Sequence, residues 1–325
     1  MLDILLYPLY NITEVKIMNI RKLNVPDVSA QNKFDIITEL LLTPQSTRRD
    51  VASASHLSSV TVGKVVCAML EDGILVSSKL HNTRGRSTEI LFPMPTLRAL
   101  LILIRDTAFY ASYIMLDGKE EQIIVRHRNE SLDLEDDIRV FLAAVRIEIE
   151  AEKDIIGVYL VHSTKSPSKL GINIPLMLGL VPSLVSEFYD TLGMFFESAY
   201  PNDTALYIDI GDRVRYNLYA GGKALSQNAI GHTLEERNEY SVALEVSKRL
   251  SSLFEFVVPS VIAMSSDKIT ADKRFIDFVA SELSKRGRIK ESAMPRFIYD
   301  RDISLVGNVI LQKSVEALAK ELAGL

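Results

Sequence analysis

The same succession of elements is written twice along this chain. From Leu97, LRALLILIRDTAFYASYIMLDGKEEQIIVRH alternates as a strand, a short loop, a second strand, an LDG turn and a third strand. Ile138, Phe141, Leu142, Val145 and Ile149 then recur at helical spacing, and DIIGVYLV follows as a buried strand. Later, TALYIDIGDRVRYNLYAGGKAL forms a second meander, and a helix through Leu244 and Leu250 leads to EFVVPSVIAM. Strands and helices mixed in this order specify an α/β protein, and 325 residues suffice for two or three lobes that each bury an apolar interior.

Ahead of this lies a different pattern. From Lys33 to Leu42, apolar Phe34, Ile37, Leu40 and Leu41 mark a helix that stops at Thr43-Pro44. Thr47 is placed to cap a short helix, RRDVASAS, with Val51 and Ala52 facing inward and Arg48 and Arg49 outward. After a tight turn at His56-Leu57, Ser58 caps a third helix whose apolar stripe, Val62, Val65, Val66, Met69 and Leu70, ends at Asp72-Gly73. Three helices with the last two closely joined are the arrangement of a helix-turn-helix, which pushes the start of its third helix into the DNA major groove. Ser59, Val60, Thr61 and Lys64 occupy that start. Hydroxyls and a small apolar group suit base edges or a thymine methyl, and the ammonium suits phosphate. The stretch ILVSSKLHNTRGRSTEILF then alternates as a hairpin with TRGRS at its turn, the form of a wing. Arg84 and Arg86 flank Gly85 there, and weakly hydrated guanidinium groups favour a narrow, negative minor groove. The candidate DNA contacts are therefore Arg48, Arg49, Ser59, Val60, Thr61, Lys64, Arg84 and Arg86. The same helices and hairpin also suit a protein-docking module.

Charge is unevenly spread. Residues 1–98 carry 11 Lys and Arg against 9 Asp and Glu, a balance of +2 within a chain whose net charge is −5, so an anion is expected at the front end. The one cysteine, Cys67, forms no internal disulfide, and five scattered histidines give no zinc spacing. Neither a metal nor a cofactor is expected, and the expected compartment is the cytoplasm. The apolar opening MLDILLYPLYNI holds an acid at Asp3 but neither a basic leader nor a small-residue cleavage site. It reads poorly as a signal peptide and is too short to span a membrane; a start at Met18 is an alternative. A mean hydropathy of +0.13 fits either a buried subunit interface or a generous core.

With these residues in view, the sequence resembles the ROK family (repressor, open reading frame, kinase). The family's repressors carry a winged helix whose recognition segment reads like LSSVTVGKVVCAMLEDGIL and whose wing holds a pair like Gly85-Arg86. The first meander, with Thr107 in its loop and Asp117-Gly118 at its turn, resembles the family's opening strands. The second meander, followed by NAIGH, resembles its phosphate-loop strand pair and EIGH-like signature, and PRFIYDRDISLVGNVIL resembles its closing strand and glycine-containing helix. The resemblance covers roughly nine-tenths of the chain and implies an actin-like, ribonuclease H-like two-lobed sugar-kinase fold with a ligand cleft between the lobes.

The catalytic equipment that the resemblance implies is not matched residue by residue. Family kinases need glycines where the backbone approaches ATP phosphates, because side chains there block the amides that cradle an anion. The DxGG-like first loop is here Leu103-Ile104-Arg105-Asp106, and the GTGIGGG-like second is Gly211-Asp212-Arg213-Val214-Arg215-Tyr216-Asn217. Asp212 would repel a triphosphate, whereas Arg213 and Arg215 could attract some anion. The family's base, the Asp of an ND pair at a helix start, falls near Pro182-Ser183, with Glu187 and Asp190 about one and two helical turns beyond. Ile230, Gly231 and His232 keep the EIGH-like signature, but Ala229 replaces its Glu, and no cysteine-rich loop follows to rebuild the family's structural zinc.

The expected architecture is an α/β protein with a winged helix-turn-helix and N-terminal extension over residues 1–94, then actin-like lobes over 95–200 and 201–325. The expected function is a ROK-type DNA-binding regulator, not an enzyme, whose kinase-like part dimerises and senses a sugar or other small molecule. His232, Arg213, Arg215 and Glu187 are the candidate effector contacts. Expected partners are double-stranded DNA at an inverted-repeat operator and further copies of the chain, as a dimer or tetramer, with no membrane. The alternatives are an ATP-dependent sugar kinase that retains a DNA domain, and a non-enzymatic docking protein.

Overall fold

The structure, a computed structural model, describes residues 21–81, 87–149, 154–163, 171–211, 213–226, 232–233, 238–266, 273–286, 294–299 and 302–325. At the front, α1 (Ala30–Leu42), α2 (Arg48–Ser55) and α3 (Ser59–Glu71) precede an antiparallel pair, β1 (Leu75–His81) and β2 (Ser87–Pro93). Each helix begins where a side-chain oxygen can take an amide that the helix itself leaves unbonded. Ser29 accepts from the amide of Asn32, Thr47 forms a reciprocal box with Asp50, and Ser58 accepts from the amide of Thr61. Thr47 and Ser58 are the caps expected from the sequence. The Ser29 cap starts α1 ahead of Lys33, which is buried. His56 closes α2 in the left-handed conformation (φ 56°) and turns the chain into α3.

Strands β3 (Arg98–Ile104), β4 (Ala108–Met115) and β5 (Glu120–His127) follow as an antiparallel meander. Helix α4 (Leu134–Ile149) crosses to β6 (Ile155–His162), which lies parallel to β3, and α5 (Ile174–Leu178) leads to β7 (Leu184–Glu187), parallel to β6. The sheet order is β5-β4-β3-β6-β7. After α6 (Phe188–Ala199) the scheme repeats: β8 (Thr204–Ile210), β9 (Arg213–Ala220) and β10 (Lys223–Ser226) form a meander, with the short β11 (His232–Thr233) also on β9. Beyond α7 (Glu239–Leu253), β12 (Val261–Ser266) runs parallel to β8; beyond α8 (Lys273–Lys285), β13 (Arg296–Tyr299) runs parallel to β12. The order β10-β9-β8-β12-β13 copies that of the first sheet, as the duplicated sequence pattern requires.

Each sheet is covered on both faces, which is why its central strands are apolar throughout. Along β3, Ala99, Leu101 and Leu103 face a cluster between the two sheets, while Leu100, Ile102 and Ile104 face α4 and α5. Along β8, Ala205 and Tyr207 face the same central cluster, while Leu206, Ile208 and Ile210 face α7 and α8. Helix α6 lies between the sheets, and Gly193 on it touches Gly222 (φ 74°) in the β9–β10 turn. A Cβ on either would strike the other's carbonyl, so glycine is what lets the helix seat against that hairpin.

The last helix, α9 (Asp302–Ala323), does not stay with the second sheet. Leu305, Val306 and Ile310 fill the central cluster, whereas Val315, Leu318, Ala319, Leu322 and Ala323 join the core of α1, α2 and α3. The Leu23 amide donates to the Leu322 carbonyl at 2.9 Å and ties the start of the described chain to its end. Among the described residues no helix is long and apolar enough to cross a membrane.

Candidate functional site

Two places gather the chemistry-bearing side chains. The first is the start of α3, which faces solvent because Ser58 caps it there while Val62, Val65, Val66 and Met69 are drawn into the core. Ser59 is exposed, Val60 is 70% exposed, and the Thr61 hydroxyl lies 2.9 Å from Ser58 Oγ. Lys64 follows one turn on, its ammonium 3.0 Å from Asp27 Oδ2 in an exposed pair that water screens and a polyanion can displace. Arg49 is exposed on α2.

Arg48 departs from the outward orientation expected of it. Its Nε lies 3.1 Å from Glu89 Oε2 on β2, and its Nη1 reaches the Gly63 carbonyl and Cys67 Sγ on α3, each at 3.5 Å. The carboxylate on the facing strand draws the guanidinium inward, and the fixed fork of donors then ties α2, α3 and β2 together. Arg84 and Arg86 lie outside the described residues.

The second place is where the β3–β4 turn meets β8 and β9. Arg105 Nη2 and Asp209 Oδ2 are 2.7 Å apart and buried, with the guanidinium carbon 3.9 Å from the centre of the Phe188 ring. Arg215 Nη1 lies 3.0 Å from Asp106 Oδ2 and 3.6 Å from Asp209 Oδ2. Four charges from the two sheets thus alternate in a chain, Arg105, Asp209, Arg215, Asp106, that sums to zero. Arg105 and Asp209 are its buried members, and burial of such ions is tolerated only because each has an opposite neighbour.

Glu187 stands beside this network as the N-cap of α6, its Oε2 accepting from the amides of Tyr189 at 3.1 Å and Asp190 at 3.3 Å. Burial, partly offset by those amides, pushes its carboxyl above the usual range. Burial also raises the Tyr189 phenol, and the charge of Asp209 adds to the effect.

Of the candidate effector contacts, Glu187 and Arg215 are therefore brought to one region, each within the electrostatic reach of the Arg105–Asp209 pair. Arg213 lies on β9 and His232 on β11, where Thr233 pairs with Arg213 and His232 with Val214; the side chains of Arg213 and His232 lie outside the described residues. Asp27, Glu89 and Asp209 were missed from sequence. A signal existed for the last: Arg105 closes the apolar run of β3 and Asp209 interrupts that of β8, opposite charges near matching ends of the two duplicated strands. Among the described residues no group of three or more His, Cys, Asp or Glu side chains could hold a metal ion.

No protein-family model and no curated protein matches this chain. Solved structures do. The crystal structure of a ROK family transcriptional regulator, a homolog of the E. coli MLC protein, superposes with a TM-score of 0.56 at 12% identity, covering 91% of this chain and 99% of that one. The fold matches that of a ROK-family protein. A ROK family protein from Streptococcus pneumoniae TIGR4 in complex with sucrose aligns at TM-score 0.44 and 14% identity, over 70% of this chain and 98% of its own. A ROK hexokinase from Thermus thermophilus aligns at 0.41 and 13%, over 66% and 97%. A ROK family transcriptional regulator and a ROK hexokinase both stand among the structural neighbours. At these identities the likeness concerns the fold alone, an α/β chain with two mixed sheets.

Proposed function

We propose that this chain is a ROK-type transcription regulator acting in the cytoplasm. In this reading residues 1–94 comprise a DNA-gripping winged helix-turn-helix with an N-terminal extension, and residues 95–200 and 201–325 are two actin-like lobes without kinase activity that serve dimerisation and the sensing of an effector. The observation that carries the second half of this reading is the ion network between the sheets. Phosphoryl transfer is catalysed almost entirely by positioning and by charge stabilisation around the phosphates. Here the turn that would offer bare amides carries Arg105 and Asp106 instead, and the guanidinium groups of Arg105 and Arg215 are paired with carboxylates. A polyphosphate entering this place would meet Asp106 and Asp209, so the residues present do not fit a nucleotide's phosphates. At the position where a base is expected stand Pro182-Ser183, and Glu187 is engaged in capping α6.

The front half rests on three capped helices and on the exposure of Ser59, Val60, Lys64 and Arg49 on the second and third of them. The alignment over 91% of the chain, a larger share than residues 97–325 make up, supports extending this reading to the front helices. A helix-turn-helix gains affinity as a symmetric pair, so the working form is a dimer or tetramer on an inverted repeat. Arg213, Arg215, His232 and Glu187 are the proposed contacts for a sugar or other small effector.

Capture of fragments from the host genome by the purified protein tests the DNA-binding half, with an inverted repeat among the recovered sequences as the expected result. A strict monomer that ignores genomic DNA at low salt would end it. ADP release above background on a panel of hexoses would overturn the inactive-kinase half.

A further inference from the structure

We infer that α9, driven through α6, carries the state of the interlobe ion network to the DNA-reading helices; this rests on the regulator reading above. The first link is electrostatic. Arg105 lies over the ring of Phe188, the first residue of α6, and the next residue, Tyr189, feels the charges of Asp209, Arg105 and Arg215. The opening turn of α6 is therefore the floor of the network. The second link is packing: Phe188, Tyr189, Leu192 and Phe196 share one buried cluster with Leu305, Val306 and Ile310 of α9, and Gln312 Nε2 donates to Ser198 Oγ at 2.9 Å.

The third link is α9 itself. This single helix of 22 residues leaves the central cluster after Ile310 and enters the front core at Val315. At about 1.5 Å per residue it spans roughly 33 Å as one stiff element. Its far end, through Leu318 and Leu322, is built into the same core as Leu40 and Leu41 of α1 and Val65 and Met69 of α3, and Leu322 holds the Leu23 amide. Close-packed cores shift as units instead of deforming, so a slide of α6 along α9 reorients the exposed start of α3. Arg105 and Asp209 span the two sheets, so a ligand that takes either partner changes the angle between them and starts that slide.

Hydrogen–deuterium exchange on the full chain, without DNA or ligand, reads this coupling directly. Arg215→Gln loosens the network at its half-buried bridge between Asp106 and Asp209, and Asp209→Asn at its buried pair with Arg105. Couplings between distant sites run about 5- to 150-fold, and we expect exchange in α6, in residues 318–323 and in α1 to quicken by about tenfold. Helices α7 and α8, on the far face of the second sheet, are expected to stay unchanged. Glycines at the exposed positions Lys313 and Ala317 soften α9 between its two clusters; in the Lys313→Gly, Ala317→Gly background the change in α6 should persist and that in α1 should vanish. The inference is overturned if α1 is unmoved while α6 quickens, if α7 and α8 quicken in step with α1, or if the effect on α1 survives the glycines. Should Asp209→Asn fail to fold, the gentler Arg215→Gln decides alone. Failure of the wild-type chain to bind DNA would sink the regulator reading yet leave the exchange result intact, so the two failures are distinguishable.

Discussion

Removing Asp209 alone should harm this protein about as much as removing Asp209 and Arg105 together. In Asp209→Ala, the Arg105 guanidinium loses the carboxylate at 2.7 Å and stays buried against Phe188. Breaking a buried pair in this way costs about 3–5 kcal/mol, mostly because the surviving ion is uncompensated. Arg105→Met keeps volume over the ring but forfeits a desolvated cation–π interaction of about 2 kcal/mol. It also leaves Asp209 to Arg215, 3.6 Å away, so the total loss is about 3 kcal/mol. Additive effects would sum to roughly 7 kcal/mol. The double variant should cost only about 4 kcal/mol, because no lone charge remains where Arg105 was and Arg215 keeps Asp106 at 3.0 Å. Urea unfolding of the four proteins, followed by far-UV circular dichroism with slopes compared, measures the cycle. Additivity to within about 0.5 kcal/mol would show that Arg105 and Asp209 do not act as a pair, and the explanation of the cleft by paired charges would fall.

Three further outcomes are expected. Arg49→Ala with Lys64→Ala should weaken DNA binding and flatten its salt dependence by about 0.9 for each phosphate no longer neutralised, whereas Arg48→Ala should weaken binding with the slope unchanged, because that guanidinium holds Glu89 and α3. Fluorescence anisotropy titrations at several salt concentrations separate the two, and equal slopes for all variants would refute both assignments. His56→Gly should stabilise the chain by about 1 kcal/mol, since a side chain in the left-handed region at φ 56° is strained and glycine is not; a fall in the unfolding midpoint would contradict this. Glu187 has a raised carboxyl pKa, so the folded state holds its proton more tightly than the unfolded state does. Its contribution to stability is then fully present below the ordinary carboxylate value and is lost as pH rises from there through the raised value. Glu187→Gln should flatten that decline when urea midpoints are compared from about pH 4 to about pH 7, and an unchanged slope would count against it.

Much of the fold was legible because its signals are local. Apolar spacing marks α1 and α3, a hydroxyl followed by free amides marks the helix starts at Thr47 and Ser58, and alternation marks both meanders, so the repeated succession of meander, helix and strand is legible in the chain itself. The exposed start of α3, with Ser59, Val60 and Lys64, was legible for the same reason: a helix that buries one stripe must show the other. The tie of Arg48 to Glu89 was not legible because that carboxylate lies 41 residues away on β2, and Asp209 was overlooked because its partner lies 104 residues back. The reach of α9 into the front core is likewise invisible in a helix whose apolar residues do not say which neighbour they meet. Periodicity and capping belong to the chain alone, whereas the pairing of charges and the sharing of a core depend on which distant segments the packed sheets bring within a few ångströms.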